Sequence, residues 1–156
     1  MTSKADFTEE EWARVKRAPF VAGLAISLAD PGGPIEAVKE TAATLRTVRE
    51  GAGSGRGELV DAIAREVSTE RQNPLKDFKP RGATAGADIL DELREVNAIV
   101  TEKATPEEAE GYREWLKSAA KEAADAAKEG GFMGFKAVRV SEGEQKMLDR
   151  LAEVLA

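Results

Sequence analysis

At 156 residues, with 42% hydrophobic and 33% charged side chains, the chain has the size and balance of one globular domain. Its net charge of −6 opposes bulk attraction to nucleic acid or to an anionic membrane surface. Histidine and cysteine are both absent, which excludes disulfides, thiol chemistry, Ser-His and Cys-His nucleophile pairs and histidine-ligated zinc or iron, so any metal site would be built from oxygen ligands.

No apolar run approaches the roughly 18 residues that span a bilayer. The longest, residues 20–29, is interrupted by Gly23 and Ser27. The start of the chain lacks a basic stretch followed by an apolar core, so no signal peptide is expected and a cytoplasmic location follows. Residues 1–6 carry no helix signal and are expected to be flexible.

The first helix is announced by Thr8-Glu9-Glu10-Glu11, a capping box in which hydroxyl and carboxylate satisfy each other's backbone amides. Phe7 before the cap and Trp12 beyond it form a hydrophobic staple, so the helix should start at Glu9. Pro19 interrupts it, either as a kink or as the first turn of a second helix. Residues 20–29 are apolar nearly all round and read as a central buried helix, ended by Asp30-Pro31-Gly32-Gly33-Pro34.

A further helix spans Pro34–Glu50, with Ile35, Val38, Ala42, Leu45 and Val48 predicted to face the core at steps of three and four. The glycine-rich stretch 51–57 is expected to be a flexible connector. Residues 58–70 form the next helix, on Leu59, Ile63 and Val67. Residues 71–84, with prolines at 74 and 80, have no clear period and read as a loop. The helix Ala85–Lys103 aligns Ile89, Leu93, Val96 and Val100. Thr105-Pro106-Glu107-Glu108 opens another, which turns Ala109, Tyr112, Leu116, Ala119, Ala123 and Ala127 inward and stops at Gly130-Gly131. Residues 132–140 read as an extended connector with a trace of strand near 137–140. Ser141-Glu142-Gly143-Glu144 caps a last helix whose apolar side holds Met147, Leu148, Leu151, Val154 and Leu155. The expected fold is all-α, a single-domain bundle over 1–156 of about six to seven unequal helices.

Five constellations invite a function. The glycines of 51–57 suggest a phosphate loop, but no strand precedes them, no Gly-Lys-Ser/Thr follows, and Glu58 puts negative charge where phosphate would sit. Asp88, Asp91, Glu92 and Glu95 share a helical face and could chelate magnesium or calcium; a solvated face is the simpler reading. Arg71, Lys76, Lys79 and Arg81, around Phe78, form the one basic, aromatic-bearing loop and are candidates for anion contact. Phe132, Met133 and Phe135 lie between glycines and belong to no helical face. They either strap the end of the bundle, the preferred reading, or form a contact surface for a partner or apolar ligand. The small residues of 20–28 point to close helix packing, with a pocket for an apolar ligand as the alternative.

Phe7-Thr8-x-x-Glu11-Trp12 with Ala18-Pro19, the Ala29-Asp30-Pro31-Gly32 turn, and Gly130-Gly131-Phe132-Met133-Gly134-Phe135…Val140-Ser141-x-x-Glu144 together resemble a family of small, uncharacterised bacterial helical proteins. The resemblance implies an all-helical fold and brings no activity or site residue. The final stretch is also similar to the tellurite-resistance-associated TerB-like helical domains, whose acidic metal-binding positions have no clear counterpart in this chain. The resulting expectation is a non-enzymatic helical interaction or regulatory module, without cofactor or metal, acting through a protein partner or self-association. A binding protein for a small apolar ligand, held between residues 20–28 and 132–135, is the first alternative. A carboxylate-based magnesium- or calcium-binding protein or enzyme is the second. Neither nucleic acid nor membrane is expected as a partner.

Overall fold

The computed structural model describes residues 2–29, 34–128 and 141–156. The described chain is all-α and holds six helices and no strand: α1 Glu9–Ala29, α2 Pro34–Glu50, α3 Glu58–Thr69, α4 Ala85–Lys103, α5 Pro106–Lys128 and α6 Glu142–Val154. The expected trace of strand at 137–140 lies outside the described residues. Among those residues no helix is long and apolar enough to cross a membrane. Helix α1 is the axis of the bundle. It packs against α2, α4, α5 and α6, and α5 packs in turn on α2.

The capping signals operate as the sequence predicts. The Thr8 amide donates to the Glu11 carboxylate at 2.9 Å, and the Glu11 amide donates to the Thr8 hydroxyl at 3.1 Å. Phe7 and Trp12 are both buried, with ring centroids 5.6 Å apart, so the staple closes. The Trp12 indole N–H is satisfied by Glu66 of α3 at 2.5 Å. The same reciprocal bonds, at 3.2 Å each, join Ser141 and Glu144 at the start of α6.

Helix α1 passes through Pro19 without a break. Proline has no amide hydrogen, so the carbonyl four residues earlier, that of Val15, loses its helical donor. The Tyr112 hydroxyl of α5 replaces it, donating to the Val15 carbonyl at 2.7 Å. Tyr112 is fully buried. Burial first, and the nearby charge of Glu92 second, push its phenol well above the ordinary value, so it stays a donor.

Helix α2 departs from the expected orientation. Of the face predicted to be inward, Val48 is buried, but Val38 is 68% exposed, Ala42 is exposed and Leu45 is half-buried. The side turned inward carries Glu40, Ala43, Thr44 and Thr47, all buried. Four hydrogen bonds explain this. The hydroxyls of Thr44 and Thr47 donate back to the carbonyls of Glu40 and Ala43 at 2.9 and 3.0 Å. Their polarity is thereby met inside the helix, so they can be buried, and the Thr44 side chain stands over Gly23 of α1, where a Cβ would lie 2.5 Å from its hydroxyl oxygen. Glu40 accepts from the Ser27 hydroxyl of α1. The indole N–H of Trp115, from α5, donates to the Thr47 carbonyl at 3.2 Å.

Two segments expected to be flexible are tied down. Thr2 is buried, and its amide donates to the Glu108 carboxylate at 3.1 Å while its hydroxyl donates to the same carboxylate. The following residues Lys4–Asp6 form a 3-10 turn. The glycine connector is a seated turn: Gly53, Gly55 and Gly57 have φ of 71°, 80° and 115°, which L side chains rarely adopt. The turn lies on α5 so closely that a Cβ on Gly111 would stand 2.0 Å from the Arg56 carbonyl oxygen. Backbone conformation accounts for Gly53 and Gly55, where a Cβ would meet nothing within 4 Å, and Gly57 also lies against Glu108 of α5. The Gly53 amide already donates to the chain's own Asp61 at 2.8 Å.

Candidate functional site

Three hollows lie along one side of the α1–α2 pair. A cleft of about 390 Å³ is walled by Lys16, Arg17 and Phe20 of α1, Leu45 and Arg49 of α2, and the end of α3 with the residues just after it. A shallower hollow continues from Leu45 and Arg49 along α2, past Ala42 and Arg46. A third, of about 50 Å³, lies beyond Phe20 between Gly23, Ser27, Glu40 and Thr44. Phe20 therefore stands between the cleft and the third hollow, and Leu45 between the cleft and the second.

The loop that follows α3 forms the outer wall of the cleft. Its path is set locally. The Asn73 side chain accepts from the Leu75 amide at 3.0 Å, the Asn73 carbonyl accepts from the Lys76 amide at 3.1 Å, and Pro74 lies between. Leu75 and Phe78 turn inward and pack on the core. The Arg17 guanidinium sits 5.5 Å from the Phe78 ring centroid and 3.7 Å from Glu92. This contact fastens the loop to α1.

Five cationic side chains line the cleft against two carboxylates, Glu70 and Asp77. Lys16 pairs with Glu70 at 2.5 Å and approaches Glu66 at 3.9 Å. Burial opposes ionisation of Glu66, but hydrogen bonds from Lys4 and Trp12 outweigh it and hold its carboxyl below the usual range. Among the described residues, no carboxylate lies within ion-pair distance of Arg49, Arg71 or Lys76, and all three are exposed. Arg49 is in the last turn of α2, where the helix dipole favours a cation without an acidic partner. The Arg17 Nε is buried and makes no hydrogen bond.

The four basic candidates from the sequence divide. Arg71 and Lys76 line the cleft; Lys79 and Arg81 do not. Arg81 turns to the start of α4, its amide donating to Asp88 at 2.9 Å and its guanidinium lying 3.7 Å from the same carboxylate. Lys16, Arg17 and Arg49 carried no signal in the sequence, because each falls in an ordinary amphipathic pattern and only folding brings them to the loop. Phe132, Met133 and Phe135 lie outside the described residues. The described part of the suggested apolar-ligand site along 20–28 is the 50 Å³ hollow, with room for one or two waters at about 30 Å³ each.

The acidic row of α4 is divided among different partners. Glu92 pairs with Arg14 at 2.6 Å, Glu95 also contacts Arg14, Asp91 pairs with Arg94 at 2.8 Å, and Asp88 holds Arg81. The first two clamp α4 to α1. Among the described residues no three carboxylates converge as a metal site would require. Comparison with protein-family models, with curated proteins and with solved structures returned no match.

Proposed function

We propose that the protein is a non-enzymatic helical interaction module whose partner is a helix of another protein, with an apolar face and an acidic edge, docking on the outer side of α2. The observation that carries this reading is the orientation of α2. Val38 and Ala42 are exposed and Leu45, three residues on, is half-buried at the edge of the cleft, so at steps of four and three they make a row along the outer side of α2, while the threonines face inward. Surface helices normally place apolar residues inward, and an outward apolar row is a surface that a second helix can cover. Arg46 and Arg49 border the row. Among the described residues Arg46 has only a distant acid, Glu122 at 3.9 Å, so both cations favour an acidic partner edge over a neutral one.

The test uses two variants of the exposed row, Val38→Asp and Ala42→Asp, with Arg46→Glu as the charge probe. Each should keep the circular dichroism spectrum and melting behaviour of the parent, since the positions are exposed. Partners recovered from the native host with the parent chain should be lost with all three variants. Recovery that is unchanged by the three substitutions would remove α2 as the interface. If the purified chain associates with itself at micromolar concentration and Val38→Asp renders it monomeric, the occupant is a second copy and not a different protein.

A further inference from the structure

We propose that the cleft between α1, α2 and the loop after α3 binds a small organic dianion, a phosphate monoester or a dicarboxylate carried on an apolar ring or short chain. The cleft adjoins the outer row of α2 and shares Leu45 and Arg49 with it, but its other walls come from α1 and the loop after α3, so it stands without the partner reading. Its volume of about 390 Å³ falls within the roughly 300–1,000 Å³ of small-ligand pockets. Its floor is apolar, formed by Phe20, Leu45 and Val67, which a ring or short chain can cover. Its rim carries Arg49, Arg71 and Lys76, which come from two different elements and have no carboxylate within ion-pair distance among the described residues; of the two acids lining the cleft, Glu70 pairs with Lys16, which leaves Asp77 against the three cations.

Charge decides the ligand class. The chain as a whole has 29 acidic and 23 basic side chains, so an excess of cations at one cleft is not a reflection of composition. Three exposed cations spaced around an apolar floor repel one another, and a ligand with two negative charges relieves that repulsion. A single carboxylate leaves the rim under-neutralised. An uncharged apolar ligand would leave it unchanged and gain only from the floor. Arginine contributes more than charge, because its planar fork can grip phosphate or carboxylate through two parallel N–H donors.

The experiment is a titration of the full chain, uniformly labelled with nitrogen-15, read by amide chemical shifts at low ionic strength. The probes are phenyl phosphate and phthalate as complete dianions, with inorganic phosphate and phenol as the two halves. Saturable shifts for phenyl phosphate or phthalate are expected at amides of residues 13–20, 45–49 and 67–77, with either half binding more weakly. Phenyl phosphate against phthalate separates phosphate from dicarboxylate recognition. Arg49→Ala, Arg71→Ala and Lys76→Ala combined should weaken binding by about tenfold or more, and each single change should contribute a part. Lys79→Ala with Arg81→Ala should leave it unchanged, since those side chains lie outside the cleft. Equal weakening by the two sets of substitutions would mean diffuse attraction to a basic loop and would overturn the proposal. So would the absence of saturable shifts with both dianions.

Discussion

On its α5 side, helix α1 is packed as a core should be. Val15, Ala18 and Val21 are buried, Tyr112, Leu116 and Ala119 to Ala120 of α5 are fully enclosed, and a buried hydroxyl repairs the one backbone gap that Pro19 creates. On its α2 side the same helix meets threonines and a buried glutamate, and α2 turns an apolar row to the solvent. Three hollows of the described surface touch this second seam. The contrast teaches that one helix can serve as both anchor and groove wall. The α5 seam is built for stability, and the α2 seam leaves chemistry exposed.

The largest effect that separates the two seams is a cavity. Leu116→Ala on α5 should cost about 2–5 kcal/mol in urea denaturation, because the side chain is wholly buried and the site cannot collapse freely. Leu45→Ala on α2, half-exposed at the cleft, should cost less than half as much. Equal costs would abolish the distinction between a stabilising and an open seam.

Next comes the repaired carbonyl. Tyr112→Phe leaves the Val15 carbonyl buried without a donor and should cost about 1–3 kcal/mol. In a Pro19→Ala background the helix regains its own amide donor, so the same substitution should cost measurably less. A double-mutant cycle with no coupling would show that the hydroxyl does not compensate for the proline.

A smaller effect is expected from pH at the foot of the α5 seam. Burial alone would raise the Glu108 carboxyl, but hydrogen bonds from Thr2 and Thr105 outweigh it and hold it below the ordinary 4.5. A carboxyl whose folded value is depressed stabilises the fold fully above its unfolded value, and the contribution disappears as pH falls through the folded value. Urea midpoints should therefore show the parent more stable than Glu108→Gln near neutrality, with the gap narrowing below about pH 4. A gap independent of pH would assign the loss to packing and not to charge.

The smallest effect belongs to the polar interior of α2. Thr44→Val removes a hydroxyl whose recorded bond is to its own helix at 2.9 Å, and should change stability by no more than about 1 kcal/mol. A large loss would mean that the close approach of this hydroxyl to Gly23 of α1, and not only its helical bond, stabilises the seam.

Much of the scaffold was legible in the residues. The capping boxes at Thr8 and Ser141 and the Phe7–Trp12 staple are local devices, complete within four or five residues, and they act as read. The bounds Pro34–Glu50 and Ala85–Lys103 and the inward row Ile89, Leu93, Val96 and Val100 were equally plain, because period and punctuation agree there. What tertiary structure decided depends on groups distant in the chain. Whether α1 broke at Pro19 rested on Tyr112, 97 residues beyond Val15. Which side of α2 faced inward rested on the hydroxyls of Thr44 and Thr47, which an apolar count treats as polar although each is satisfied within its own helix. The basic cleft had only its loop half, Arg71 and Lys76, visible in advance. Lys16, Arg17 and Arg49 joined it through the packing of α1 and α2, since periodicity specifies a face but not what that face will meet.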